Sequence, residues 1–128
     1  MTKISIEALA HQQLKVAADA GGGRASETVY GGHEKSLRQT VIGMLRGTSL
    51  SEHDNQDDAT VYVLHGRIRL RVGDDSWKAR AGSLLIVPQA RHSIEALEDS
   101  AVLMSVAKRP YPRGEIVTET IALEAPPG

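Results

Sequence analysis

The chain has 128 residues, enough for one domain around a single core, and its net charge of −1 gives no electrostatic reason to expect nucleic acid or an anionic membrane as a partner. It has no cysteine, so disulfides and thiolate metal sites are excluded. No apolar run reaches the roughly 18 residues of a membrane helix, and the N-terminus lacks the apolar stretch of a signal peptide. We therefore expect a single cytoplasmic domain over residues 1–128, with no nucleic-acid or membrane contact.

The N-terminal segment has the periodicity of a helix. Its apolar side chains recur at spacings of three and four residues, which places them on one helix face. Ser5 is suited to cap the N-terminus, and Gly21 to Gly23 follow the segment, where a left-handed residue commonly ends a helix. The sequence predicts a helix over residues 5–20, on which we expect His11 to be solvated.

After these glycines the periodicity changes to two. Short runs of β-forming residues alternate with glycine, proline and aspartate turns, which is typical of an all-β sandwich or closed barrel. No linker or repeat interrupts them, so we expect one barrel over residues 25–122. The predicted strands are SETVY, LRQTVIGML, ATVYVLH, RIRLRV, SWKAR, SLLIV, HSIEAL, AVLMSVA and EIVTETI.

Two of these segments carry more specific predictions. In RIRLRV, the apolar Ile68, Leu70 and Val72 alternate with arginines, as expected of an antiparallel strand with one buried face. The turn Gly73-Asp74-Asp75 then leads into SWKAR as a hairpin, on which we expect Trp77 to pack under the arginine stems. SLLIV is apolar throughout, which predicts a strand buried on both faces.

Two glycine-bounded motifs lie within residues 36–108. The first begins at Gly47 and ends at Gly66, with His53, Asn55 and Ala59 between them. The intervening gaps are five, one, three and six residues long.

The second motif begins at Gly82 and has Pro88 after a gap of five residues, followed by Ala90 and His92. These spacings resemble the two motifs of the cupins, a family of small jelly-roll barrels. Their forms are G-x5-H-x-H-x3-E-x6-G and G-x5-P-x-G-x2-H-x3-N. The resemblance implies an all-β, cupin-type double-stranded β-helix, here preceded by an N-terminal helical segment.

The chain departs from the family pattern at the positions that hold a metal in many cupins. Only His53 and His92 match the expected ligands, because Asn55 replaces the second histidine and the glutamate is absent. Three residues are candidates to complete a site. They are Asp58, if a bulge turns it inward, Asn55 through its amide oxygen, and His33 from another turn. The resemblance then implies one divalent transition metal (Fe, Ni, Mn, Cu or Zn). Without a metal, the two histidines would hydrogen-bond neighbours or water.

The orientation of three polar residues depends on strand register. His92 arrives one residue early, so it faces inward if the missing residue belongs to the preceding turn and outward if it belongs to the strand. Alternation puts His65 on the side of Val61 and Val63. One residue of the pair Arg38 and Gln39 must face inward, and we choose Gln39 as a ligand-binding candidate.

Two candidate functions follow from the cupin resemblance and its incomplete metal motif. The first is the binding of a small organic molecule in the barrel by His53, Asn55, His92 and Gln39, and we favour it because the metal motif is incomplete. The alternative is a metal-dependent dioxygenase, isomerase or cyclase that uses His53 and His92, with Asp58 as a tentative third ligand. No catalytic residue is assigned. By analogy with other single-domain cupins, edge strands would pair two copies into a homodimer.

Overall fold

The computed structural model describes residues 2–53 and 57–108, and in these ranges it has one helix followed by nine strands. In chain order they are α1 (Ile6–Asp19), β1 (Arg24–Tyr30), β2 (Leu37–Met44), β3 (Ser49–His53), β4 (Asp58–His65), β5 (Arg67–Val72), β6 (Asp75–Arg80), β7 (Leu84–Val87), β8 (His92–Ala96) and β9 (Ser100–Ala107). The predicted strand EIVTETI, and with it the end of the predicted barrel at residue 122, lies outside the described residues.

The strands form two antiparallel sheets that enclose the core. One sheet has the order β1-β2-β9-β4-β7, and the other has the order β3-β8-β5-β6. The inner faces of both sheets contribute aliphatic side chains, so the core is the aliphatic one that the low aromatic content requires. This arrangement confirms the predicted all-β fold with an N-terminal helix. The buried core residues are Ile42, Met44, Val61, Val63, Ile68, Leu70, Ala79, Val87, Ile94, Ala96 and Val102.

The helix begins where the sequence predicts. The hydroxyl of Ser5 accepts a hydrogen bond from the Ala8 N–H at 3.2 Å, so Ser5 is the N-cap. The buried face of α1 carries Ala10, Gln13 and Ala17, whose small or hydrogen-bonded side chains allow a close approach to the sheet. Within the described residues, no helix is long and apolar enough to cross a membrane.

The helix lies on the outer face of the five-stranded sheet. Gly43 of β2 marks the closest approach, because a Cβ atom there would come within 2.6 Å of the Gln13 backbone. The neighbouring Val41 points the same way and is fully buried without belonging to the core between the sheets. The first sheet is therefore covered by the barrel core on one face and by α1 on the other.

The hairpin of β5 and β6 is confirmed. Ile68 and Leu70 are buried, Val72 is half-buried, and the pairing of Val72 with Asp75 closes a tight turn. Gly73 in that turn has a φ of +59°, a backbone conformation that favours glycine.

The prediction that SLLIV is buried on both faces is wrong. Leu84 and Ile86 are 56% and 69% exposed, whereas Val87 is buried in the core. The reason is that β7 lies at the edge of its sheet in the described part of the chain, beyond the surface that α1 covers. An uninterrupted apolar run does not distinguish an edge strand with an apolar outer face from a central one.

One strand was not predicted at all. β3 has the sequence SLSEH, in which Leu50 is the only apolar residue, and it pairs with β8 at the edge of the four-stranded sheet. Its polar composition gives no alternation of apolar and polar residues by which a strand is recognised, since an edge strand needs few apolar side chains.

Candidate functional site

His92 is the polar group that the barrel buries most completely on the inner face of the four-stranded sheet, among the residues described. Its side chain is 2% exposed, and it alternates along β8 with the core residues Ile94 and Ala96. His92 therefore faces inward, which means that the missing residue belongs to the turn before β8. The ring nitrogen Nδ1 lies 3.1 Å from the Ala90 carbonyl oxygen and donates to it, which fixes the orientation of the imidazole.

The other motif histidine lies across the ladder from His92. The backbone register of β3 and β8 pairs His53 with His92 and Leu50 with Ile94, with an irregularity between the two pairs. Directly paired residues of antiparallel strands have Cα atoms about 4.5–5.5 Å apart. The fold thus brings the two motif histidines together along the backbone. Asn55 lies outside the described residues.

The prediction that a bulge turns Asp58 inward is wrong. β4 pairs regularly with β9 from Asp58 to Val63, and Ala59 and Val61 point into the core. Asp58 is consequently on the outer face, where it is exposed and accepts a hydrogen bond from Gln89 Nε2 at 3.2 Å. The sheet separates its carboxylate from the inner surface that carries His92.

Gln39 also lies outside the barrel, so its choice as the inward-facing residue is wrong. It shares a face of β2 with Val41 and Gly43, the residues beneath α1, and its amide donates to Ser105 Oγ at 3.1 Å. Alternation puts Arg38, not Gln39, on the same face as the core residues of β2.

His65 departs from the alternation that the sequence suggests. The ladder between β4 and β9 shifts between Val63 and His65, so that His65 pairs with Ala101. Its ring lies against His11 of α1, with the two ring centroids 4.9 Å apart. A β-bulge therefore turns His65 away from the barrel interior and toward the helix.

An apolar cavity of about 230 Å³ opens between the edge strands β6 and β7. Trp77 pairs directly with Leu70 across the hairpin and so shares its face, which corrects the prediction that Trp77 packs under the arginines. The sequence offered no signal for this cavity, because its walls come from strands of different sheets. Its lining residues are Leu70, Trp77, Leu84, Leu85, Ile86 and Pro88.

Two larger depressions are less suited to a ligand of the barrel. One of about 390 Å³ follows the turn between β1 and β2 and is lined largely by polar residues of that turn, with Gln39 at its end. The other, of about 270 Å³, lies beside β1 and includes Ile42 and Leu50. None of the three cavities is lined by His92 or by another histidine, and the one between β6 and β7 differs in its more uniformly apolar walls.

The described residues do not complete a metal site inside the barrel. Among them, the ligand atoms of Glu7, His11 and His65 are close enough to share an ion. His92 does not belong to this group. His33, a candidate third ligand, is exposed in the turn between β1 and β2. Because firm metal sites use three or four protein ligands, the described set does not fit a resident barrel metal.

No protein-family model and no curated protein sequence matches this chain. Several solved structures match its fold. A conserved protein of unknown function from Streptococcus pyogenes superposes with a TM-score of 0.64 at 22% identity, covering 72% of this chain and 80% of the other. A cupin superfamily protein from Desulfitobacterium hafniense gives 0.62 at 17% identity, covering 67% and 78%.

KdgF from a Halomonas species gives a TM-score of 0.60 at 22% identity, covering 76% of this chain and 87% of its own. An RmlC-like cupin from Shewanella frigidimarina matches similarly, with a TM-score of 0.61 at 19% identity over 70% and 80% of the two chains. At these identities the likeness concerns the fold. The chain has the cupin fold, as the spacing of its two motifs predicts.

Proposed function

We propose that this cupin barrel binds a small organic molecule at its inner surface, with His92 as the main polar contact. The observation that carries the proposal is the buried, inward-facing imidazole of His92, held in one orientation by the Ala90 carbonyl. A few oriented polar groups within an apolar surface are typical of small-molecule sites, and imidazole both donates and accepts hydrogen bonds.

The cavity between β6 and β7 supports an apolar portion in the ligand. Its walls are almost entirely aliphatic apart from Trp77, and Leu70 and Leu85 connect it to the core surface. A volume of about 230 Å³ is smaller than that of sites for drug-sized ligands. The proposed ligand is therefore a small molecule with one apolar part and one polar group directed at His92.

His53 is the second residue that we propose for this site, because its backbone pairs with that of His92. Asn55 follows two residues later in the same motif and stays a prediction. Gln39 does not belong to the proposed site, since its side chain is engaged on the other face of the sheet.

A metal-dependent enzyme is the second candidate, and the pairing of His53 with His92 is the observation that favours it. Two imidazoles alone hold a divalent ion weakly. With Asp58 on the outer face, no third ligand is evident in the described residues. We therefore rank this candidate below metal-free binding and assign no catalytic step.

The single tryptophan of the chain gives a direct test of binding. Trp77 lines the cavity, so a ligand that enters it changes the tryptophan emission of the protein. We would titrate a panel of small carboxylic acids, alcohols and sugars of differing apolar content while recording fluorescence. A ligand of the proposed kind binds His92→Ala about tenfold or more weakly, because its polar group loses a buried partner.

His33→Ala is the matched control, since His33 is an exposed histidine in the turn between β1 and β2 and does not line the cavity. It should bind with unchanged affinity. A ligand that shifts the emission equally in wild type and in His92→Ala contradicts the role of His92. Elemental analysis of untagged protein tests the second candidate, which requires stoichiometric metal that both His53→Ala and His92→Ala remove.

We further propose that two copies associate through β7. This strand ends its sheet in the described part of the chain, and Tyr62, Leu84 and Ile86 form an exposed apolar patch on its outer side. A four-residue strand without charge, antiparallel to its own copy across a two-fold axis, would cover both the unpaired edge and the patch.

A further inference from the structure

We propose that Glu7, His11 and His65 form a binding site for a divalent transition metal on the outside of the barrel, where α1 meets the end of β4. Two imidazoles and one carboxylate are a common protein donor set for such ions. The site is separate from the one proposed around His92 and does not depend on it.

The helix supplies two of the three ligands. Glu7 and His11 are four residues apart, so their side chains project from the same face of α1. His11 Nε2 and Glu7 Oε2 are 3.3 Å apart. The pair therefore converges on one point beside the helix without any help from the rest of the chain.

The barrel supplies the third ligand through the irregularity in β4. The shift of register between Val63 and His65 turns the His65 ring toward α1. His65 Nε2 then lies 3.8 Å from Glu7 Oε2, and the ligand atoms of all three residues lie within 4.8 Å of one another. Residues distant in sequence thus meet at a point that three side chains can reach.

These separations are close to those of a metal centre. With bonds of about 2.0–2.2 Å, two donor atoms in tetrahedral coordination around zinc lie about 3.3 Å apart. The pair on the helix already has that spacing, His65 Nε2 and Glu7 Oε2 need a contraction of about 0.5 Å, and no pair of ligand atoms needs more than about 1.5 Å. Glu7 and His11 are 74% and 61% exposed, so their side chains are able to make this adjustment.

A second observation points to a ligand at His65. Its Nε2 atom is shielded from solvent and has no hydrogen-bond partner among the described residues. A buried polar atom without a hydrogen-bond partner destabilises the folded state, since the water it loses is not replaced. The nitrogen is directed at the Glu7 carboxylate but is too far away to hydrogen-bond with it. An ion between the two groups would coordinate both.

The surroundings favour zinc over calcium or magnesium. Nitrogen donors suit Zn²⁺, Ni²⁺ and Cu²⁺, whereas calcium and magnesium require oxygen ligands. The exposure of the two helix residues leaves a path for the ion and room for water as a fourth ligand. Because the ligands come from α1 and from β4, bound metal would tie the helix to the barrel and stabilise the native state.

The test uses full-length, untagged protein freed of metal with a chelator and then dialysed. Isothermal titration with Zn²⁺ should give one site per chain, and saturating Zn²⁺ should raise the melting temperature. Co²⁺ in place of zinc should give the visible absorption of a cobalt ion with nitrogen ligands.

Three substitutions identify the ligands. Glu7→Gln, His11→Ala and His65→Ala should each weaken Zn²⁺ binding by about tenfold or more and abolish the zinc-dependent rise in melting temperature. His33→Ala should change neither. Glu7 and His11 are exposed helix residues, so their variants decide the question even if His65→Ala does not fold.

The possible outcomes separate this site from the barrel. Zinc binding that survives all three substitutions, or that disappears in His92→Ala alone, overturns the proposal. Absence of zinc binding at millimolar concentration also overturns it. Binding lost in the Glu7, His11 and His65 variants and kept in His92→Ala supports it, whatever ligand the barrel takes.

Discussion

Gly66 occupies the most restricted position among the glycines of the described chain. It joins β4 to β5 with a φ of +80°, and a Cβ atom there would collide with the Asp99 carbonyl oxygen and the Ser100 side chain. Ser100 cannot move easily, because its buried hydroxyl accepts from the Arg67 N–H at 3.0 Å. The second glycine of the first motif is therefore required by both conformation and space.

Gly66→Ala should lower the free energy of unfolding by about 3 kcal/mol, combining a left-handed alanine with a packing collision. Gly73→Ala is the matched control. Its φ of +59° is similarly unfavourable for alanine, but no atom lies within 4 Å of the added Cβ, so the loss should be about 1 kcal/mol. Urea unfolding followed by circular dichroism measures both. Equal losses would mean that the collision with Ser100 contributes nothing.

At the scale of elements, the attachment of α1 depends on a single glycine in β2. The added Cβ of Gly43→Ala would meet the backbone of Gln13 and push the helix away from the sheet. We expect a loss of about 2 kcal/mol and faster amide hydrogen exchange in α1 than in wild type.

Gly21→Ala provides the comparison, because Gly21 lies just beyond the helix with no atom within 4 Å of the added Cβ. Its stability and its exchange rates should stay close to those of wild type. If Gly43→Ala also leaves the stability and the exchange rates unchanged, the helix has more freedom to move over the sheet than the close approach implies.

Elements with a clear period were predictable from the sequence. α1 has an apolar stripe and a serine cap, and β5 alternates arginine with aliphatic residues, so both were found with nearly correct bounds. β3 was missed because its five residues carry one apolar side chain. β7 was placed wrongly because its apolar run carries no information about its position in the sheet.

The candidate site was predictable to the extent that its residues belong to spaced motifs. The motifs brought out His53 and His92, and the backbone pairs these two residues directly. The positions of Asp58 and His65 depend on where β4 has its irregularity, and the sequence contains no marker for it. A bulge before Ala59 would turn Asp58 toward the barrel interior. The observed irregularity comes after Val63 instead, so Asp58 stays on the outer face and His65 turns toward α1.

At the scale of the whole molecule, the apolar patch beside β7 governs association. Wild-type protein should be a dimer in analytical ultracentrifugation at micromolar concentration, and Ile86→Lys should be a monomer, because it puts a charge at the centre of the patch. Val16→Lys changes an exposed apolar residue of α1 instead and should leave the dimer intact. A monomeric wild type, or loss of the dimer only in Val16→Lys, contradicts an interface at β7.

The place of β9 in the first sheet has a consequence for how the protein is made. The strand pairs β1-β2 and β4-β7 are joined to each other through β9, which is the last described strand and lies between β2 and β4. While the chain leaves the ribosome, the preceding strands of this sheet have no partner on that side until residues 100–107 emerge. Long-range pairing of this kind folds slowly and leaves strand edges open meanwhile. The sheet is thus closed late, once β9 has emerged, and nascent chains halted before residue 100 would be substrates for chaperones and proteases.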